Sequence, residues 1–254
     1  MASNNSVHDG GDWSSPFPPI TLPSYPLTAT LADDFGGNIA GEMVLVHNVI
    51  IRSFNAVWHN AALVSAKDVP AFISYAKSAV DMLHEHHHTE EEIFFPVLAR
   101  EGLAQIVEGN IEQHKAFHDS MEALNEHLNG LAQRPEEYDA QRMREALEKL
   151  GGPLVQHLHD EIPTLHPDNM RKIDKDILDK LCSDLDAHIK SQGGFTTLIP
   201  FMVTGHRSEE APAWPPFPGP LRWLVKNVFG RVHSSRWKFA PYDLSGNPQT
   251  YSPS

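Results

Sequence analysis

Two segments of this chain carry the same three residue types at the same offsets: His86, Glu90 and Pro96 in HHHTEEEIFFP, and His157, Glu161 and Pro167 in HLHDEIPTLHP. A histidine and a glutamate four residues apart project from one face of a helix, so each segment offers a nitrogen and an oxygen donor side by side. A single pair at this spacing arises by chance in many helices. The same pair twice, each time six residues ahead of a proline, points to a fold that brings two such faces together around a metal in a bundle core.

The duplication extends upstream. His47 precedes His86 by 39 residues and His114 precedes His157 by 43, each on its own predicted helix. The chain therefore reads as two copies of a helix pair, His and then His-x-x-x-Glu, making four helices with internal twofold symmetry. Apolar neighbours decide which histidines face inward. Met43, Val44, Ile50, Ile51 and Phe54 surround His47 at the three-and-four spacing of a buried stripe. The same spacing gives Met82, Leu83, Ile93, Phe94 and Val97 around His86, and Val107, Ile111, Phe117 and Met121 around His114. Leu154 and Leu165 flank His157. His88 looks back on His84 and Glu85 and is assigned to a polar face, with His87 intermediate. His159 has Pro163 four residues on and cannot repeat the pair.

A lone histidine on an apolar face is most often a hydrogen-bonded core residue. Here four coincide with two carboxylates. Burying two ionised glutamates without cations costs several kcal/mol each, so a dry core explains the pattern poorly. In the run Glu90–Glu91–Glu92 only Glu90 is read as inward, the other two as a solvated face. His118, one turn after His114, is the strongest of the remaining histidines and is expected at the surface or behind the ligands.

Taken together, His47 in VLVHNVIIRSF, His86 and Glu90 in HHHTEEEIFFP, His114 in EQHKAFHDSM, and His157 and Glu161 in HLHDEIPTLHP resemble the hemerythrin-like, or HHE cation-binding, domain. The resemblance covers about residues 36–168. It implies an all-α, up-down four-helix bundle holding two non-haem iron ions, with those six residues as metal ligands. The oxygen carriers of that family have a His-x-x-x-His pair on the third helix and an aspartate five residues after the last histidine. In this chain Asn110 stands where the first of that pair belongs, and Glu161 follows His157 by four. Four histidines and two glutamates look more like the branch that contains di-iron proteins of iron-sulfur cluster repair and the iron-sensing domain of a ubiquitin ligase subunit.

Mixed imidazole and carboxylate donors suit iron, manganese or zinc, and the lack of thiolates argues against a soft-metal or iron-sulfur site. With Glu90 and Glu161 bridging, each metal has about four protein donors, which leaves positions for water, an oxo group, O2 or NO. The functions expected are binding or activation of O2, NO or peroxide in redox chemistry or sensing; oxygenation of a small organic substrate; or iron sensing or storage without turnover.

The rest of the sequence bounds this reading. A net charge of −13 disfavours nucleic acid as a partner. The single cysteine, Cys182, excludes an internal disulfide framework and fits a reducing, cytoplasmic setting. No signal-peptide pattern and no transmembrane segment is expected. Residues 1–35, rich in Ser, Pro, Gly and Asn, are expected to be extended or partly disordered. Helices are expected over about 37–65, 69–99, 103–132 and 137–166, the last kinked or restarted at Gly151, Gly152 and Pro153. An additional helix is expected within 169–193, amphipathic through Ile173, Ile177, Leu181, Leu185 and Ile189. Residues 194–254 form a Pro- and aromatic-rich C-terminal extension, with a short helix at about 219–231. It is expected to pack Trp214, Trp223 and Trp237 on the bundle, the alternative being a lid or docking surface.

Overall fold

A computed structural model describes residues 13–23 and 31–253. Helix α1 (Phe35–Ala61) opens two residues earlier than its apolar pattern suggests, because Asp34 caps it and accepts a hydrogen bond from the Gly37 amide at 2.9 Å. It stops at Ala61, and Ala66–Asp68 form a separate 3-10 turn. Helix α2 (Val69–Thr89) starts with Pro70 in its first turn. It runs on through a π-turn at Glu90–Phe94 into a last α-turn at Phe95–Leu98. The chain then reverses at Glu101 and Gly102, where Gly102 takes φ 95°, a left-handed value open to glycine. Helices α3 (Ala104–Gln133) and α4 (Ala140–Thr164, capped by Asp139) complete the bundle.

These four helices form a ring in which α1 packs on α2 and α4, and α3 packs on α2 and α4. With short connections between them, this is the up-down arrangement of an all-α bundle. No strand occurs among the described residues. Among them, too, no helix is long and apolar enough to cross a membrane.

Helix α4 is one continuous helix through Gly151, Gly152 and Pro153, rather than restarting there. A reason for Gly151 lies in the N-terminal segment. A Cβ at that position would stand 2.1 Å from the ring of Phe17, so the absent side chain lets the segment lie against the helix. Of the first 35 residues, 1–12 and 24–30 lie outside the described residues. Residues 13–23 form an extended strap along α1 and α4 that buries Trp13, Phe17 and Ile20. Two asparagines on α1 hold it. Asn55 accepts from the Phe17 amide and donates to the Trp13 and Phe17 carbonyls, while Asn48 exchanges both backbone bonds with Ile20.

After a turn at Pro167–Met170, helix α5 (Lys175–Ser191) lies against α1 and the π-turn of α2. Its buried stripe runs through Leu178 and Leu181, while Ile189 is 56% exposed, so the inward face is shorter than the sequence pattern implied. Helix α6 (Leu198–Gly205) packs on α1 and α2. The tail beyond it buries Trp214, Trp237, Phe239, Tyr242 and Tyr251 in the bundle core. It is pinned by Lys238 and the Tyr251 hydroxyl on Asp68, at 2.6 and 2.8 Å, and by Trp214 Nε1 on Glu42 at 2.7 Å. Trp223 departs from expectation: it lies on the short helix Gly219–Leu224, 60% exposed.

Among the described residues, the buried apolar side chains fall into two clusters. One, holding Val44, Leu83, Phe117 and Leu158, fills most of the bundle and receives the strap and the tail. The other, holding Met43, Phe94, Val107 and Leu165, fills the end of the bundle beneath α5. On every bundle helix the histidines and glutamates singled out from the sequence lie between a residue of one cluster and a residue of the other. The polar layer therefore sits between two dry ones.

Candidate metal centre

All six residues read from the sequence converge on this layer, and they do so in pairs. His47 Nε2 stands 3.0 Å from His86 Nε2, and His114 Nε2 stands 3.0 Å from His157 Nε2. Two donors at right angles on one ion, each at the roughly 2.1 Å usual for imidazole nitrogen, would be about 3.0 Å apart. Glu90 lies between the pairs, with Oε1 3.1 Å from His86 Nε2 and Oε2 3.6 Å from His114 Nε2. Glu161 Oε2 is 3.3 Å from His47 Nε2. Among the described residues, donor atoms within 4.8 Å of one another form two buried groups: His47, His86, Glu90 and Glu161; and His87, Glu90, His114 and His157.

Two features differ from the sequence reading. The second group contains His87, expected from its intermediate position at the surface or behind the ligands, although it precedes Glu90 by three and so shares that carboxylate's face as closely as His86 does. And the motif repeat does not map one copy to one position. Glu161 groups with the histidines of α1 and α2, whereas His157 from the same motif groups with His114.

The outward ring nitrogens are held. His47 Nδ1 lies 2.9 Å from the Leu158 carbonyl, His114 Nδ1 2.6 Å from Glu91 Oε1, and His157 Nδ1 3.1 Å from Gln113 Oε1. Gln113 is itself oriented by donating to Asp160 at 3.1 Å. Each Nδ1–H then donates outward, which leaves the Nε2 lone pair pointing into the site. Glu91 and Gln113 escaped the sequence reading because both look like surface residues; Glu91 is 45% exposed. His118 is at the surface beside Asp119, its side chain 62% exposed. Asn110 is buried and donates to the Thr164 hydroxyl at 3.3 Å, outside both groups.

Electrostatics separates the two carboxylates. Burial, then the charges of Glu161 and Glu91, raises the Glu90 carboxyl well above the usual range. Burial opposes ionisation of Glu161 as well, but His47 and the neighbouring histidines outweigh it and hold that carboxyl below its ordinary value. Burial and the surrounding histidines depress His86 and His87 well below an ordinary imidazole, and burial holds His157 at about 3.

These residues fit a pair of cations. With both Nδ1 atoms donating outward, to Glu91 and Gln113, the Nε2 lone pairs of His114 and His157 face one another at 3.0 Å, and an electron-pair acceptor belongs between them. All four oxygens of Glu90 and Glu161 and both ring nitrogens of His87 are buried without a hydrogen-bond partner among the described residues. A single shared proton satisfies one such contact, not the set, whereas metal ions satisfy them together. Access is narrow: His86, the least buried of the group, has a side chain 8% exposed, and the rings of Phe95 and Phe117 pack against His114. Two surface clefts, of about 610 and 290 Å³, lie elsewhere and include none of these residues. The first is between the strap and α4, the second under the tail.

The profile of the hemerythrin HHE cation-binding domain matches residues 38–168, the span of the four bundle helices. The chain is also 30% identical over 217 residues to the dimeric xanthone biosynthesis cluster protein R11 of Cryptosporiopsis sp. (strain 8999), an alignment that takes in 83% of this chain and 81% of that protein. No solved structure matches.

Proposed function

Because the chain belongs to the hemerythrin HHE cation-binding domain family, we propose that it is a non-haem di-iron protein whose centre binds O2, NO or peroxide in redox chemistry or sensing. The observation that carries this reading is the double cluster of buried donors whose carboxylate oxygens have no hydrogen-bond partner among the described residues, sealed between two apolar layers. His47, His86, Glu90, His114, His157 and Glu161 would hold the irons, Glu90 reaching both positions. When bound, the metals supply electron transfer and vacant coordination positions for a small ligand.

The chain's own residues set the conditions. Leu158, Glu91 and Gln113 orient three imidazoles through their Nδ1 atoms, so donors face the site before metal arrives. Phe95 and Phe117 exclude bulk water, which suits a diatomic ligand better than a bulky one and strengthens every charge interaction inside. A cytoplasmic, reducing setting suits the lone Cys182, which is unpaired.

A second reading is a di-iron oxygenase of a small organic substrate. It is favoured by the relative, whose name ties it to a biosynthesis cluster for dimeric xanthones. The test is anaerobic reconstitution with ferrous iron, then exposure to O2 or NO with optical detection, with and without aromatic organic compounds. New charge-transfer bands on O2 or NO alone support the first reading. Oxygen consumption that requires an organic compound supports the second, and no spectral response to either gas together with no oxygen consumption in the presence of any compound contradicts both.

A further inference from the structure

We infer that His87 is a metal-holding residue, the third imidazole of the position lined by His114 and His157, and that the two metal positions are therefore unlike. The inference rests on the di-metal reading and goes one residue beyond its six ligands.

Glu90 follows His86 by four and His87 by three, so both rings lie one turn back on the face that Glu90 occupies. Consecutive residues on a helix are about 100° apart, which lets one carboxylate serve two positions while each neighbouring histidine serves one. The structure divides them in this way: His86 lies with His47, and His87 with His114 and His157. The ring of His87 is 4.3 Å from that of His114 and 5.4 Å from that of His157, measured between centroids. It is buried, and neither of its nitrogens has a hydrogen-bond partner among the described residues.

A packing role alone explains this badly. The ring does stack 5.0 Å from Phe117, but an apolar side chain would fill that space without leaving two nitrogens unsatisfied. The other copy of the motif shows the contrast: three residues before Glu161 stands Leu158, fully buried in the core. A donor is present at this register only where a third imidazole completes a group.

One position then has three neutral imidazoles and a share of Glu90. The other has two imidazoles and both carboxylates. Anionic oxygen donors favour the more highly charged ferric ion, and neutral nitrogen donors the ferrous one. A singly reduced centre should therefore keep its ferrous ion on the His87 side.

The test uses the full chain, reconstituted anaerobically with 57Fe, as wild type, His87→Ala, His87→Gln and the exposed neighbour His88→Ala. Iron per chain and Mössbauer spectra are read, with circular dichroism melts of the metal-free proteins as the folding control. Expected are two unequal quadrupole doublets in wild type and His88→Ala. Both His87 variants should lose affinity at one position by about 100-fold or more, beyond the roughly 10–100-fold of an outer-shell change. Imidazole added to His87→Ala should restore the second iron, whereas toluene, which fills space without a donor, should not. Two irons with wild-type doublets in both His87 variants would overturn the inference, as would an iron loss that imidazole does not reverse. Fewer than two irons in wild type would instead overturn the di-metal reading on which it rests.

Discussion

Replacing Glu90 by Gln should have opposite effects on the metal-free and the loaded protein. Glu90 is 3% exposed, its two oxygens have no hydrogen-bond partner among the described residues, and burial together with Glu161 raises its carboxyl well above 4.5. In the unfolded chain at pH 7 the same group is ionised, so metal-free folding has to take up a proton or bury a charge. Protonating a carboxyl of pKa 4.5 at pH 7 costs about 3 kcal/mol, which sets the ceiling on what Gln can recover. The sign follows from linkage. A carboxyl raised in the folded state binds more protons there than in the unfolded state, so the stability present below 4.5 is lost as pH rises toward the raised folded value. Between pH 6.5 and 8 the gap between metal-free Glu90→Gln and metal-free wild type should widen by up to about 1.4 kcal/mol per pH unit until that value is passed. A gain of 2–3 kcal/mol corresponds to roughly 4–12 °C in a chain of this size. Loaded with iron the order reverses, because the amide cannot bridge as an anion and metal stabilises only what it binds. Thermal melts with chelator and with ferrous iron measure both. A metal-free Glu90→Gln that melts below metal-free wild type at pH 7.5 would refute the claim that this carboxylate is uncompensated without cations.

Gln113→Leu removes the acceptor for His157 Nδ1 and should weaken iron binding by roughly 10–100-fold at unchanged helicity, measured by competition with a chelator. Glu91→Ala should do the same through His114, yet less than Glu90→Ala, which removes a donor common to both groups. Metal-free protein should lose stability as pH falls from about 6.5 toward 4. Burial holds His157 at about 3 and His206 at about 4, while the unfolded chain takes up protons from 6.5, so depressed folded values penalise the native state on acidification. His206→Gln should flatten that slope in chemical denaturation. Truncation at residue 193 leaves all the candidate ligands but strips Phe201, Trp214, Trp237 and Phe239 from the core, so sedimentation should report aggregation; a monodisperse, iron-loaded truncation would show that the tail is not core.

Much of the fold was legible because the bundle helices carry strong 3.6-residue patterns, and Met43, Val44, Ile50, Ile51 and Phe54 around His47 are all buried. Element ends were less legible, since capping by Asp34 and Asp139 decides them locally. For residues 1–35 the Ser-, Pro-, Gly- and Asn-rich composition predicts an extended or partly disordered segment and gives no sign of where the strap is seated. Its order comes from Asn48 and Asn55, distant in sequence and unremarkable until the chain folds. At the centre, a rule based on His-x-x-x-Glu selects the residue four before each glutamate and passes over the one three before, so it points to His86 and not to His87, which the structure places in the second group. Pairing by motif also hid the actual grouping, because which histidine meets which glutamate depends on how α1 and α3 are seated against α2 and α4. Glu91 and Gln113 carry no signal beyond their types: an exposed glutamate and glutamine become orienting groups only because α3 and α4 bring His114 and His157 to them.

The central claim, a centre for two cations built from these buried donors, is tested most directly by counting metal. Elemental analysis of the full chain after anaerobic reconstitution with ferrous iron and desalting should give two irons per chain, falling together when Glu90 is replaced by Ala. A reproducible ratio near one that excess iron does not raise, or two irons that survive Glu90→Ala, would contradict it.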